Sequence, residues 1–290
     1  MSIKIGKNCK IGNLSSGEYR LRNSKAQIIL GDDVNIGKNV VINVSERLII
    51  GDRVIIGDNF IIEGRDIEIG KEFFSGRYCT IGGGSSFEKL SKLKIGDFVH
   101  LGDFGTINTA RSVKIGNEVG LGQETKIYTH GVYLNWFNGF PVEFGPVTIG
   151  DNVWCPKAII MPNVIIGDNV VVGAGAIVNK SLPSGCLAVG IPAKVIKENI
   201  YPKKYSDLEF QELIQQFINH FKNDILNGEE ERIKITQIKD RVFVNGTLFD
   251  LGGKRIDGGA NELTEKFKNE LRRYGYRFRY YSDGGVYKPW

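Results

Sequence analysis

Aliphatic residues recur at six-residue intervals along the first two-thirds of the chain, each followed by Gly and often by Asp-Asn or Lys-Asn. The fullest copies are Ile36-Gly37-Lys38-Asn39, Ile56-Gly57-Asp58-Asn59, Ile149-Gly150-Asp151-Asn152 and Ile166-Gly167-Asp168-Asn169. Shorter ones stand at Ile50-Gly51, Ile69-Gly70, Ile95-Gly96, Leu101-Gly102, Ile115-Gly116 and Leu121-Gly122. A period this short excludes helix hairpins and propeller blades and predicts a parallel β-helix, each coil being three short strands joined by turns. One inward aliphatic side chain per six residues, as at Ile50, Ile56 and Ile62, gives three flat faces, so about eighteen residues close one triangular coil. Gly after the aliphatic residue is expected to supply φ freedom at the corner, and Asp or Asn to tolerate the left-handed region. Val54, Val99, Val119 and Val153 are expected to fill the gaps between anchors.

The anchors Ile5 and Ile11, then Leu30, Ile36 and Ile42, then sets starting at Ile50, Ile69, Ile95, Ile115, Ile149 and Ile166, predict about eight coils. Excess residues must leave the coil as loops, a small one at Ser85 to Lys92 and a large one at Tyr128 to Pro146. A shortened hexad is read at Met161 to Ile166. Near Lys197 the pattern changes. Leu208, Leu213, Ile214, Phe217, Ile218, Phe221 and Ile225 recur at three and four, predicting an amphipathic helix over Ser206 to Leu226 that Asn227-Gly228 ends. Strands are expected at Arg232 to Ile238 and Arg241 to Phe249, a second helix at about Glu262 to Tyr274 and a last strand at Tyr276 to Tyr281. The fold class is therefore mainly β: a β-helix over residues 1–197 with the segment 128–146 extruded, then a small α+β domain over 198–290.

Composition agrees. Among 290 residues, 37 Gly against 8 Pro suit a turn-rich β structure, and a formal charge of +5 carries no polyelectrolyte signal, so nucleic acid is not an expected partner. No run approaches the roughly 18 apolar residues of a membrane span. The repeat starts almost at Met1, without a signal-peptide pattern, and a cytoplasmic protein is expected. Cys9, Cys79, Cys155 and Cys186 are scattered without metal-ligand spacing and read as reduced thiols, Cys155 in an inward slot.

Three ordered motifs carry a resemblance: Val147-Thr148-Ile149-Gly150-Asp151-Asn152-Val153-Trp154, Val172-Gly173-Ala174-Gly175-Ala176-Ile177-Val178-Asn179-Lys180, and Val189-Gly190-Ile191-Pro192-Ala193-Lys194-Val195-Ile196-Lys197. They resemble the C-terminal coils of the hexapeptide-repeat acyltransferases, in particular the galactoside, maltose and xenobiotic O-acetyltransferase group. The resemblance implies left-handed coils, against the usual right-handed crossover rule. It also implies a homotrimer with active sites between subunits, and acetyl-coenzyme A as donor.

In that family a His beside an extruded loop, upstream of the Val-Trp motif, is the catalytic base. Tyr128-Thr129-His130-Gly131 stands in that position. A hydroxyl is a poor nucleophile near neutrality, and an imidazole can take its proton during attack on a thioester. Carried over by position, Trp154 borders the pantetheine arm, Ala174 offers backbone contacts, and Asn179, Lys180 and Lys194 meet the nucleotide end, whose phosphates favour Lys. Cys155-Pro156 departs from the family's usual Ile-Gly.

The acceptor is less legible. Asp103 and Asn108 are the nearest polar residues in the coil below. Trp136, in the aromatic stretch Tyr133 to Phe140, suits a pyranose face, and equally a loop packed onto a β-helix. The basic aromatic stretch Arg272 to Tyr281 reads as a half-exposed strand rather than an anion site. His100 points outward by alternation, and His220 lies on the predicted helix. Three His so widely separated do not make the zinc site of the carbonic anhydrases that share this architecture, so no metal is expected. The activity expected is O-acetylation of a saccharide or saccharide-linked acceptor, as in surface-polysaccharide assembly. The alternatives are N-acetylation of a nucleotide-linked amino sugar and a non-catalytic β-helix scaffold with the appendage as adaptor.

Overall fold

The computed structural model describes residues 2–11, 26–226 and 234–290. The chain divides into two compact units, Met1–Pro202 and Lys203–Trp290.

The first unit is a three-faced parallel coil, and its registers follow the hexad anchors. On the first face Leu30, Ile50, Ile69, Ile95, Ile115, Ile149 and Ile166 stand directly above one another. On the third face the column is Ile42, Ile62, Ile81, Ile107, Ile127, Ile160 and Val178. The second face runs through Ile36, Ile56, Ser75, Leu101, Leu121, Cys155, Val172 and Ala188, the last strands of that face being Leu187–Val189 and, antiparallel to it, Lys194–Lys197. The column residues of all three faces are buried, and Val54, Val99, Val119 and Val153 fill the spaces between them. Each fully buried aliphatic side chain contributes about 1.5–3 kcal/mol.

The corners work differently from expectation. The Gly after each first- and second-face anchor does not adopt positive φ; the left-handed residue comes two positions later, at Asn39, Asn59, Asn152 and Asn169, but also at Arg53, Glu72, Tyr78, Phe104 and Glu124. Gly is required there because the next coil lies too close. A β-carbon at Gly31 would meet the Asp52 carboxylate and lie 2.7 Å from the Gly51 carbonyl carbon. The Asp residues of the repeat run a ladder along the coils. Backbone N–H groups of Lys7, Asp32, Lys38, Lys71, Arg77 and Asp151 donate to the Oδ1 of Asp32, Asp52, Asp58, Asp97, Asp103 and Asp168 at 2.7–3.0 Å.

The shortened hexad lies one turn before Met161. Leu121 to Ile127 spans six residues, whereas their partners Cys155 and Ile160 are five apart; Ile160 to Ile166 is a full hexad. The tightened corner holds Pro156, whose carbonyl packs onto Gly122 and whose Cα would lie 2.8 Å from a β-carbon there.

In the second unit, α1 (Asp207–His220) starts on a Ser206–Glu209 capping box and continues as a π-type turn, Phe221–Leu226. Asn227-Gly228 lies outside the described residues, as does the start of the strand expected from Arg232. A four-stranded antiparallel sheet follows: Ile235–Ile238, Arg241–Val244, Thr247–Asp250 and Arg255–Asp257. The single strand expected over Arg241 to Phe249 is a hairpin, because Asn245 and Gly246 take φ of 45° and 90° and form a two-residue turn. Helix α2 (Glu262–Arg273) precedes a second hairpin, Tyr280–Asp283 with Val286–Pro289, where one strand at Tyr276 to Tyr281 was expected. Its turn is Gly284-Gly285. Phe221, Phe249, Phe267, Leu271 and Phe278 form a core of their own. No helix among the described residues is long and apolar enough to cross a membrane.

Candidate active site

The large excursion from the coil is an antiparallel ribbon, His130–Gly131 with Glu143–Phe144, closed by the Gly145 N–H donating to the Thr129 carbonyl at 3.0 Å. His130 is thus fixed at its base, where the third face turns toward the first. Its ring stacks on Phe144 at 5.7 Å between centroids and 17° between planes, and the Arg111 guanidinium lies 4.2 Å from the same Phe144 ring.

Asn108, one coil below, determines how His130 is protonated. The Asn108 Nδ2 donates to the Gly82 carbonyl at 3.1 Å, so its Oδ1 is the oxygen facing His130 Nδ1 at 2.9 Å. An amide oxygen only accepts; in the neutral ring Nδ1 therefore carries the proton and Nε2 the lone pair. The same Oδ1 accepts from Thr129 Oγ1 at 2.6 Å and from the Ala110 N–H at 3.3 Å. Asn108 is 5% exposed. Its Oδ1 and one Nδ2 hydrogen are committed to the chain, which makes it a residue that orients His130. The pairing is invisible in sequence because 22 residues separate the two.

Asp103 is not part of this constellation. Its carboxylate sits in the corner ladder, accepting from the Arg77 backbone N–H at 2.7 Å with the Arg77 guanidinium at 3.5 Å. Trp136 and Phe137 stand at the ribbon tip, 64% and 89% exposed, with their rings 5.4 Å apart. Neither is packed down on its own coil.

The donor candidates are all exposed and spread over different faces. Trp154 projects from the second face, in an outward column with Ile55, Phe74, His100 and Gly120. Its indole lies over Gly120, where a β-carbon would lie 2.7 Å from Cζ3. His100 packs against Phe74 at 5.2 Å between ring centroids. Ala174 is at the corner after the second face, Asn179 and Lys180 follow the third, and Lys194 is on the terminal strand. One chain therefore does not gather His130 and the donor candidates on one face.

His220 belongs to the second unit's framework. Its Nε2 meets Glu270 at 3.0 Å and its Nδ1 meets Asp224 at 2.7 Å; the Glu270 carboxylate, then Asp224, raise its pKa above the ordinary 6.5. Burial pushes the Cys155 thiol up to about 12 and the Cys79 thiol to about 11, leaving both unreactive. Among the described residues there is no group of three His, Cys, Asp or Glu that could hold a metal ion.

Comparison with known proteins places the chain. The galactoside O-acetyltransferase of Escherichia coli is 32% identical over 143 residues, covering 46% of this chain and 70% of that protein. A Schizosaccharomyces pombe protein named as an acetyltransferase is 35% identical over 137 residues, 47% of this chain; there the chain spans about half the relative, 54% of its length. A maltose O-acetyltransferase structure from Clostridium difficile is 28% identical, with 57% of this chain and 66% of that one covered at a TM-score of 0.31. No protein-family model matches the chain. The chain belongs to the hexapeptide-repeat acyltransferases, a family of enzymes built on left-handed β-helices.

Proposed function

We propose that the protein is an acetyl-coenzyme A-dependent O-acetyltransferase acting on a sugar hydroxyl. The reading rests first on the Asn108–His130 pair, which leaves the Nε2 lone pair of His130 available for an acceptor proton. The acceptor O–H proton passes to Nε2 as its oxygen attacks the acetyl carbonyl. The tetrahedral adduct then collapses, the C–S bond breaks, and the departing thiolate takes the proton back from the imidazolium. The ester is formed and the base regenerated with no covalent enzyme intermediate.

Similarity to the family supports Trp154, Ala174, Asn179, Lys180 and Lys194 as the donor contacts, with the two Lys at the phosphates. Since His130 and Trp154 leave different faces of the β-helix, a second copy is needed to bring a base and a donor site together, and the family's trimer supplies it. The outward apolar column Ile55, Phe74, Trp154 is suited to a covered face. For the acceptor, a saccharide or saccharide-linked precursor of a surface polysaccharide in the cytoplasm is the assignment, supported by the sugar substrate in the name of the Escherichia coli relative.

The test is to incubate the protein with acetyl-coenzyme A and a panel of free and nucleotide-linked sugars and to follow products by mass. A product gaining one acetyl group that mild base removes is the expected result. A base-resistant amide would transfer the assignment to an amino group, and no product with any sugar would favour a scaffold.

A further inference from the structure

The strip Gly82-Gly83-Gly84, with Glu63 at its far end, has no part in the motifs above. A β-carbon at Gly82 would lie 2.9 Å from the Glu63 Cβ, one at Gly83 3.1 Å from Asn108 Nδ2, and one at Gly84 3.5 Å from His130 Nε2. Three consecutive residues without side chains thus connect the surroundings of Glu63 to the lone-pair nitrogen of His130. Gly83 and Gly84 are exposed, so the strip is open to solvent. Gly82 and Gly83 take φ of 131° and 101°, backbone that other residues rarely adopt. Gly84 has no such requirement. Its missing side chain keeps free the space beside Nε2.

Glu63 supplies charge at the other end. Its Oε1 accepts from Asn43 Nδ2 at 3.3 Å, and it makes no ion pair among the described residues. Arg65 pairs with Glu46 at 2.7 Å and the Lys89 carbonyl at 2.6 Å, and Arg111 with the Ala110 carbonyl at 2.7 Å and Glu88 at 3.4 Å. A carboxylate lying along this strip would meet an uncompensated negative charge.

We propose that Gly82–Gly84 are the floor of the acceptor site, that the sugar reaches His130 Nε2 across Gly84, and that Glu63 selects a neutral or amine-bearing sugar over an anionic one. The proposal rests on the catalytic assignment of His130 and specifies the substrate class of that site.

Gly84→Ala tests the floor, because its methyl would make an ordinary contact with the imidazole without straining the backbone. Acetyl transfer to a neutral hexose is expected to fall about tenfold or more in kcat/KM. The acetyl-coenzyme A affinity and the unfolding temperature are expected to stay at wild-type values. Diethyl pyrocarbonate, which acylates an unprotonated imidazole nitrogen, gives a readout that needs no acceptor: labelling of His130 slows several-fold in Gly84→Ala while labelling of His100 is unchanged. Wild-type rates of both transfer and His130 labelling in Gly84→Ala would overturn the floor. Glu63→Gln is expected to raise kcat/KM for a uronic acid relative to the neutral hexose by about tenfold, and an unchanged ratio would overturn the charge selection. Failure of the underlying catalytic assignment looks different: His130→Ala would then transfer as fast as wild type while Gly84→Ala still slowed labelling of His130.

Discussion

At the scale of single residues, the site depends on one amide. Asn108→Ala removes the acceptor that holds Nδ1–H, so both tautomers of His130 become accessible and the ring loses its anchor. Transfer in Asn108→Ala is expected to fall about 10- to 100-fold in kcat with little change in donor KM, as steady-state kinetics at saturating acetyl-coenzyme A would reveal. An unchanged kcat would remove Asn108 from the orienting role. The position of His130 at the base of an excursion was legible in the sequence, since Thr129-His130 precedes the aromatic stretch that leaves the coil. Asn108 was legible only as a polar residue in the next coil, and its role emerges from stacking that brings residues 22 positions apart into register. The contacts of Asp103 were not legible for the same reason: the hexad pattern does not distinguish a carboxylate aimed at a ligand from one holding the N–H of the coil before it. The corner glycines were also legible, though for the wrong cause. Their conformation is ordinary and their spacing to the next coil is not, so Gly31→Ala is expected to destabilise by about 1–3 kcal/mol in denaturant unfolding, more than left-handed strain at that position would imply, since there is none.

At the scale of elements, the β-helix was readable because every strand repeats the same inward position. Seven residues of one face share a register that the anchor sets alone define. The second unit has no repeat to average over. Its helices were readable from three- and four-residue spacing, but the run Arg241 to Phe249 reads as one strand because apolar alternation continues through Asn245-Gly246, and the expected strand at Tyr276 to Tyr281 stops short of the hairpin that turns at Gly284-Gly285. The second unit also carries a pH dependence. His220, at the end of α1, bridges Asp224, in the π-type turn that follows, and Glu270, on α2, and its folded pKa is raised above 6.5 chiefly by Glu270. Protonated His220 therefore adds stability that is fully present below pH 6.5 and is lost as pH rises through the raised folded value. Thermal unfolding followed by circular dichroism is expected to show the midpoint of this unit falling between pH 6 and pH 9, with a smaller fall in His220→Gln. The same fall in both proteins would assign the dependence to other groups.

At the scale of the whole molecule, the coil is a rigid column whose outward faces divide the chemistry. His130 leaves the corner after the third face, and Trp154 lies in the apolar column of the second. A complete site follows if copies associate, and light scattering coupled to size exclusion is expected to give three times the 32.3 kDa chain mass. A monomer active at all dilutions would refute the intersubunit site. The central claim is narrower, that His130 is the base which activates a sugar hydroxyl. Its most direct measurement is thiol release from acetyl-coenzyme A with sugar acceptors, comparing wild type with His130→Ala. The account predicts a loss of about 10²- to 10⁴-fold in the variant with acetyl-coenzyme A binding retained, and equal rates in the two proteins would contradict it.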